Sequence, residues 1–131
     1  MAGVRAVILD TCALLWLAQG EGGLSNEARE RIAGAPAIYI SAMTAFEIGI
    51  KCRKGKLALP ARPGEWLETV LAHHGVQVIP VDARIALAST ELPEIHGDPC
   101  DRMIIASAKS MNLPVVTADP VFRQYGVEVL A

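Results

Sequence analysis

No stretch of this chain is apolar for long enough to span a bilayer. The richest, around Ala13 to Ala18, is broken by Gln19, Gly20 and Glu21, far short of the roughly 20 residues required. Arg5 is followed by only four apolar residues before Asp10 interrupts them, too few for the apolar region of a secretory signal, so a cytoplasmic protein is expected. Cysteine is scarce: Cys12, Cys52 and Cys100 are odd in number and widely spaced, with no C-x-x-C pattern. That argues against a disulfide framework or a thiolate zinc site and leaves reduced, mostly buried thiols. His73, His74 and His96 show no metal-ligand spacing, and the adjacent pair closes an expected helix where it suits the dipole. No catalytic role is expected for the three. Charge of one sign is lacking too. The net −2 does not announce a nucleic-acid binder, although acids neutralised by a cation would make that count misleading. There is no G-x-S-x-G elbow and no triad around His96, which makes covalent catalysis a poor reading.

What is present suits one compact domain spanning 1–131, with 52% apolar and 20% charged residues. Short apolar runs at Val4 to Leu9, Ala37 to Ile40, Val76 to Val81, Pro114 to Thr117 and Val127 to Leu130 read as five strands. Helical spacing covers Thr11 to Gln19, Ser25 to Ala33, Ala42 to Arg53, Gly64 to His74, Ala83 to Glu91 and Pro99 to Met111. Ser41 can cap the third helix and Gly55 end it; Gly75 and Asn112 offer similar stops. Gly20 to Gly23 and Pro60 to Gly64 read as surface connections. Strands alternating with helices imply an α/β fold, a mostly parallel sheet of about five strands with helices on both faces.

Four carboxylates stand out. Asp10 follows the first strand and Asp119 the fourth, so a parallel sheet puts both at its carboxyl edge, where open α/β sheets bind ligands. Each also precedes a helix, and capping is an equally good reading of either alone. Asp98, before Pro99, reads as a cap. Asp101 shares a helical face with Ile104, Ile105 and Ala108 and should point inward toward the strand ends. Glu47 sits among Met43, Phe46 and Ile50, where an unpaired carboxylate is costly; its bland explanation is an exposed pair with Lys51. If all four converge, repulsion raises their pKa values unless a cation neutralises them, and an all-oxygen donor set selects Mg²⁺ or Mn²⁺ over zinc. Such a centre suits hydrolysis of phosphodiesters by activated water.

The fragments ILDTCALLWL, SAMTAFEIGIK, GKLALP, DPCDRMIIASA and LPVVTADP, in this order along nearly the whole chain, resemble the successive motifs of PIN-domain ribonucleases, specifically VapC-like toxins. The resemblance implies a PIN-like three-layer fold and Mg²⁺- or Mn²⁺-dependent endoribonuclease activity. It implies Asp10, Glu47, Asp101 and Asp119 as catalytic acids and metal ligands, with Asp98 and Thr117 supporting them. It further implies a homodimer held inactive by a VapB-like antitoxin. Cys100 stands where related sequences often carry an aromatic residue. Leu14, Leu15, Trp16, Leu17 and Trp66 offer apolar surface for such a partner or, for most of them, core packing. Lys51, Arg53, Lys54, Lys56 and Arg62 form a locally basic stretch able to contact RNA phosphates, and Arg102 could clamp one.

Three other readings compete. An aspartyl-phosphate phosphatase wants a second Asp where Cys12 stands; a receiver-like module wants an early acidic pair and a late Lys, neither evident. A catalytically silent PIN-like binding module is opposed by the intact set of four acids.

Overall fold

The computed structural model describes residues 5–20 and 22–131. Along the chain run β1 (Val7–Leu9), α1 (Thr11–Gln19), α2 (Asn26–Gly34), β2 (Ile38–Ser41), α3 (Ala42–Arg53) and α4 (Pro63–His74). They are followed by β3 (Val76–Ile79), α5 (Ala83–Glu91), α6 (Pro99–Met111), β4 (Val115–Val116), a 3-10 helix over Pro120–Tyr125 and β5 (Val129–Leu130). Val4 and Glu21, parts of the expected first strand and first connection, lie outside the described residues. The strands are shorter than the apolar runs that signalled them. The third stops at Ile79 because Pro80 has no N–H to give a ladder.

All strand pairs are parallel, in the order β3-β2-β1-β4-β5. Burial on both faces explains the unbroken apolar runs. Val7 and Leu9 pack with Leu14, Ala28, Ile32, Ile48, Trp66 and Val70, whereas Ile8 turns to Ile104, Ile105, Ala108, Phe122 and Tyr125. Each side of the sheet is thus covered by helices, as the alternation of elements required. Among the described residues, no helix is long and apolar enough to cross a membrane.

Local caps set the helix ends. Ser41 accepts from the Met43 amide, and Gly75 and Asn112 close α4 and α6 in the left-handed region at φ 66° and 53°. Gly20, Gly22 and Gly23 of the connection after α1 are exposed, as expected, and Trp16 packs beneath the last two. A Cβ on Gly22 or Gly23 would lie 2.2 Å or 2.6 Å from carbons of the Trp16 indole, so that ring packs directly on the glycines. Leu14 and Trp66 belong to the core, and Leu15, Trp16 and Leu17 pack partly buried against it. The expectation of mostly buried thiols needs one correction. Cys100 is buried and Cys52 half-buried, but Cys12, in the first turn of α1, is exposed.

Because β1 is followed on one side by β2 and on the other by β4, the direction of winding reverses between β1 and β4. A crevice opens at the carboxyl ends of such neighbours. Asp10 and Asp119 leave the sheet there, and α6, returning into β4, brings its first turn to the same edge.

Candidate active site

Asp10 combines both readings open in the sequence. One oxygen accepts the Ala13 amide at 2.8 Å and caps α1, while the other accepts the Thr117 hydroxyl. Only 7% of the residue is exposed. Burial pushes its carboxyl above the usual range, against the pull of those two hydrogen bonds, and the charges of Glu47 and Asp119 push the same way. Buried Thr117 also accepts the Asp119 amide at 3.0 Å, so one hydroxyl ties together the acids that follow β1 and β4.

Asp119 caps the 3-10 helix through the Val121 amide at 2.9 Å, leaving its second oxygen to the crevice. Asp101 stands in the first turn of α6 on the face that buries Ile104, Ile105 and Ala108. Its carboxyl is pushed up to about 7, first by burial and then by the charge of Asp98; His96 opposes this, and Glu47 and Asp10 add to it. Four acids therefore feel one another at a single edge of the sheet. Asp98 accepts the amides of Cys100 at 2.8 Å and Asp101 at 3.3 Å; it caps α6, as its Pro99 neighbour suggested.

Glu47 joins from α3. One oxygen accepts the Thr11 hydroxyl at 2.6 Å and the other pairs with Lys51 at 2.8 Å, with 14% of its side chain exposed. The Lys51 pair weighed as the bland explanation exists, but it is not an ordinary surface pair, because Thr11 holds the carboxylate toward Asp10. Phe46, expected to be part of an apolar surround, is instead 57% exposed. It lines a groove of about 430 Å³ with Glu47, Lys51, Lys54, Lys56 and the Gly97–Cys100 turn. Of the basic stretch, Lys51, Lys54 and Lys56 are in this way brought beside Glu47 and Asp98, whereas Arg53 and Arg62 do not line the groove.

Arg102 departs from expectation. Its guanidinium donates to the carbonyls of Ser89, Leu92, Pro93 and His96 at 2.8–3.1 Å and reaches the Tyr125 hydroxyl at 3.4 Å. With its donors spent on the end of α5 and the following loop, it is a structural clamp and not a phosphate ligand.

His96 is the residue that spacing missed. Its Nε2 lies 2.8 Å from an Asp101 oxygen and 3.3 Å from an Asp119 oxygen, shielded from solvent, yet neither carboxylate lies in line with the ring nitrogen as a hydrogen-bond partner. Ligand atoms of His96, Asp101 and Asp119 lie within 4.8 Å of one another. Local sequence held no sign of this, since the loop is placed by Arg102 and by Tyr125, whose hydroxyl accepts the His96 amide at 2.7 Å. An oxygen-rich donor set around a shielded, unpartnered nitrogen fits a divalent cation. The nearby thiols are poor nucleophiles: partial desolvation and then the charge of Asp10 raise Cys12, and burial with neighbouring acids pushes Cys100 up to about 11.

The raised Asp101 value has a sign that can be measured. A carboxyl whose folded pKa exceeds its unfolded one contributes stability that is present below the unfolded value and lost as pH rises to about 7. In chelator, the melting temperature should fall from pH 5 to pH 8, and Asp101→Asn should flatten that slope; an unchanged slope in the variant refutes the assignment.

The comparisons agree with this architecture. The family model of the PIN domain matches residues 7–128. Ribonuclease VapC22 of Mycobacterium tuberculosis is 27% identical over 123 residues, 93% of each chain. Among solved structures, DNA-bound VapBC of Salmonella typhimurium aligns over 96% of both chains with a TM-score of 0.69 at 22% identity. FitAcB of Neisseria gonorrhoeae aligns over 95% of this chain and 96% of its own, with a TM-score of 0.65 at 20% identity. Those two likenesses speak for the fold, and the family match over almost the whole length decides membership: the chain belongs to the PIN-domain family.

Proposed function

We propose that this chain is a divalent-cation-dependent endoribonuclease acting as the toxin of a VapBC-like toxin–antitoxin pair. The observation that carries the reading is the gathering of Asp10, Glu47, Asp101 and Asp119 at one sheet edge, with the Asp10 and Asp101 carboxyls held above their ordinary range. Acids brought this close raise one another's pKa values, and a bound cation would relieve that repulsion.

Asp10, Asp101 and Asp119 would hold the cation, Mg²⁺ or Mn²⁺, with Glu47 as a further ligand or the group that orients the attacking water. When bound, such an ion stabilises charge on the phosphodiester and makes water a better nucleophile. Thr117 fixes the orientation of Asp10, and Asp98 holds the first turn of α6 that presents Asp101. Lys51, Lys54 and Lys56 supply positive charge along the groove, where exposed Phe46 offers a stacking face to an unpaired base. A VapB-like antitoxin is the proposed partner, a reading supported by the Salmonella typhimurium and Rickettsia felis neighbours, which are VapBC complexes; a homodimer and a cytoplasmic setting complete the proposal.

The test is cleavage of a mixed RNA pool by the purified, antitoxin-free chain with Mg²⁺ or Mn²⁺, with a chelator arm alongside. Cleavage that the chelator abolishes supports the reading. A folded protein that binds the cation and cleaves no RNA in the pool would replace it with a PIN-like binding module.

A further inference from the structure

We propose that His96 is itself a ligand of the cation, binding through Nε2 beside Asp101 and Asp119, and that this nitrogen biases the centre toward Mn²⁺ over Mg²⁺. The inference rests on the metal-dependent reading above and adds a donor that the set of four acids does not contain.

The geometry is that of ligands around a common point. Neighbouring ligands of an octahedral ion bound at roughly 2.1 Å stand about 3.0 Å apart, with their lone pairs aimed at the ion rather than at each other. Nε2 stands 2.8 Å from Asp101 and 3.3 Å from Asp119, close enough for an ion pair, and makes no acceptable hydrogen bond to either. A histidine present only to neutralise the acids would point its N–H at one of them.

The ring is also held in place. The His96 amide donates to Tyr125, its carbonyl accepts from Arg102, and the imidazole stands edge-on to Phe122 with centroids 6.4 Å apart. One contact must change on binding. Nδ1 now accepts the Asp98 amide at 3.3 Å, and ligation through Nε2 places the ring proton on Nδ1, so this long hydrogen bond opens. The consequence for selectivity follows from donor softness. Mg²⁺ keeps oxygen ligands, whereas an imidazole is an acceptable donor to a first-row transition ion.

Metal-stripped protein titrated with Mn²⁺ and followed by electron paramagnetic resonance gives the test, with pulsed detection of nitrogen coupled to the bound ion. The parent should show directly coordinated imidazole nitrogen. His96→Ala should lose that signal and bind Mn²⁺ about tenfold or more weakly, while Mg²⁺ affinity, read by competition, changes far less. His73 and His74 end α4 at the opposite edge of the sheet and cannot supply the signal. His96→Asn is run in parallel, so that a folding defect in the alanine variant, checked by circular dichroism, does not decide the result. Mn²⁺ bound by the parent without nitrogen coupling, or with equal affinity in the folded variants, overturns the role of His96 and leaves the carboxylate centre standing. No Mn²⁺ binding by the parent overturns the metal centre itself.

Discussion

Asp10→Asn is expected to lower cation-dependent RNA cleavage by at least about a thousandfold while leaving the metal-free fold no less stable than the parent. The two halves of this result separate the two uses of one side chain. Asparagine is as good an N-cap as aspartate, so its amide oxygen can keep the 2.8 Å bond from Ala13. The Thr117 hydroxyl can turn to accept from the new amide nitrogen. What disappears is a buried negative charge whose carboxyl is already pushed above its usual range by burial and by Glu47 and Asp119. Removing it relieves the metal-free protein and removes a ligand from the cation. Melting curves with chelator and with Mg²⁺ or Mn²⁺ make the comparison. The parent should gain stability from the ion and the variant should gain much less. A variant that cleaves RNA as the parent does would reduce Asp10 to a cap and return the candidate centre to an acidic cluster of structural origin.

Arg102→Ala should cost roughly 2–4 kcal/mol of unfolding free energy, several times more than a typical surface arginine. The side chain satisfies four carbonyls at the end of α5 and in the loop carrying His96. Truncation takes the side-chain donors from the buried Ser89 carbonyl and the half-buried Leu92 and His96 carbonyls, whereas exposed Pro93 keeps those of the Ile95 amide and the Tyr125 hydroxyl. Lysine should restore little, because a single ammonium cannot reach across the fork that the planar guanidinium spans. Urea unfolding of both variants gives the magnitude. Arg102→Ala within about 0.5 kcal/mol of the parent would mean that water replaces the clamp, and that Tyr125 alone positions the loop. If the destabilisation is as large as expected, cation affinity should fall in the same variant, since the loop it releases carries His96.

Much of this architecture was legible before any coordinates. The spans of α1, α3, α5 and α6 follow from helical spacing and caps, because an apolar stripe and a side chain that satisfies the first amides are local matters. The parallel sheet follows from the alternation of strands and helices. Once the strands are parallel, residues after β1 and β4 must lie at one edge, which is why Asp10 and Asp119 could be grouped from the sequence. The inward aim of Asp101 was readable from Ile104, Ile105 and Ala108 on its own helix. Glu47 stood out for its apolar helical neighbours Met43, Phe46 and Ile50, and a resemblance in five short fragments gave the four acids a common role.

The remainder depended on contacts between residues far apart in the chain. Nothing near His96 distinguishes it from a loop histidine, and its position is set by Arg102, Tyr125 and Phe122. Arg102 looked like a surface arginine of α6 able to clamp a phosphate, because its true acceptors are carbonyls, which every sequence has and no sequence displays. The pairing of Glu47 with Lys51 was foreseeable at a spacing of four, but its burial against Thr11 was not, since α1 and α3 meet only in the folded sheet. Periodicity, caps and the order of elements, all short-range physics, by themselves determined where the chain is helical, where it is extended and which edge collects the acids. Strand order, the crevice between β1 and β4, the exposure of Cys12 and Phe46 and the placing of His96 were decided by tertiary packing, because each is a distance between segments that the chain alone leaves free.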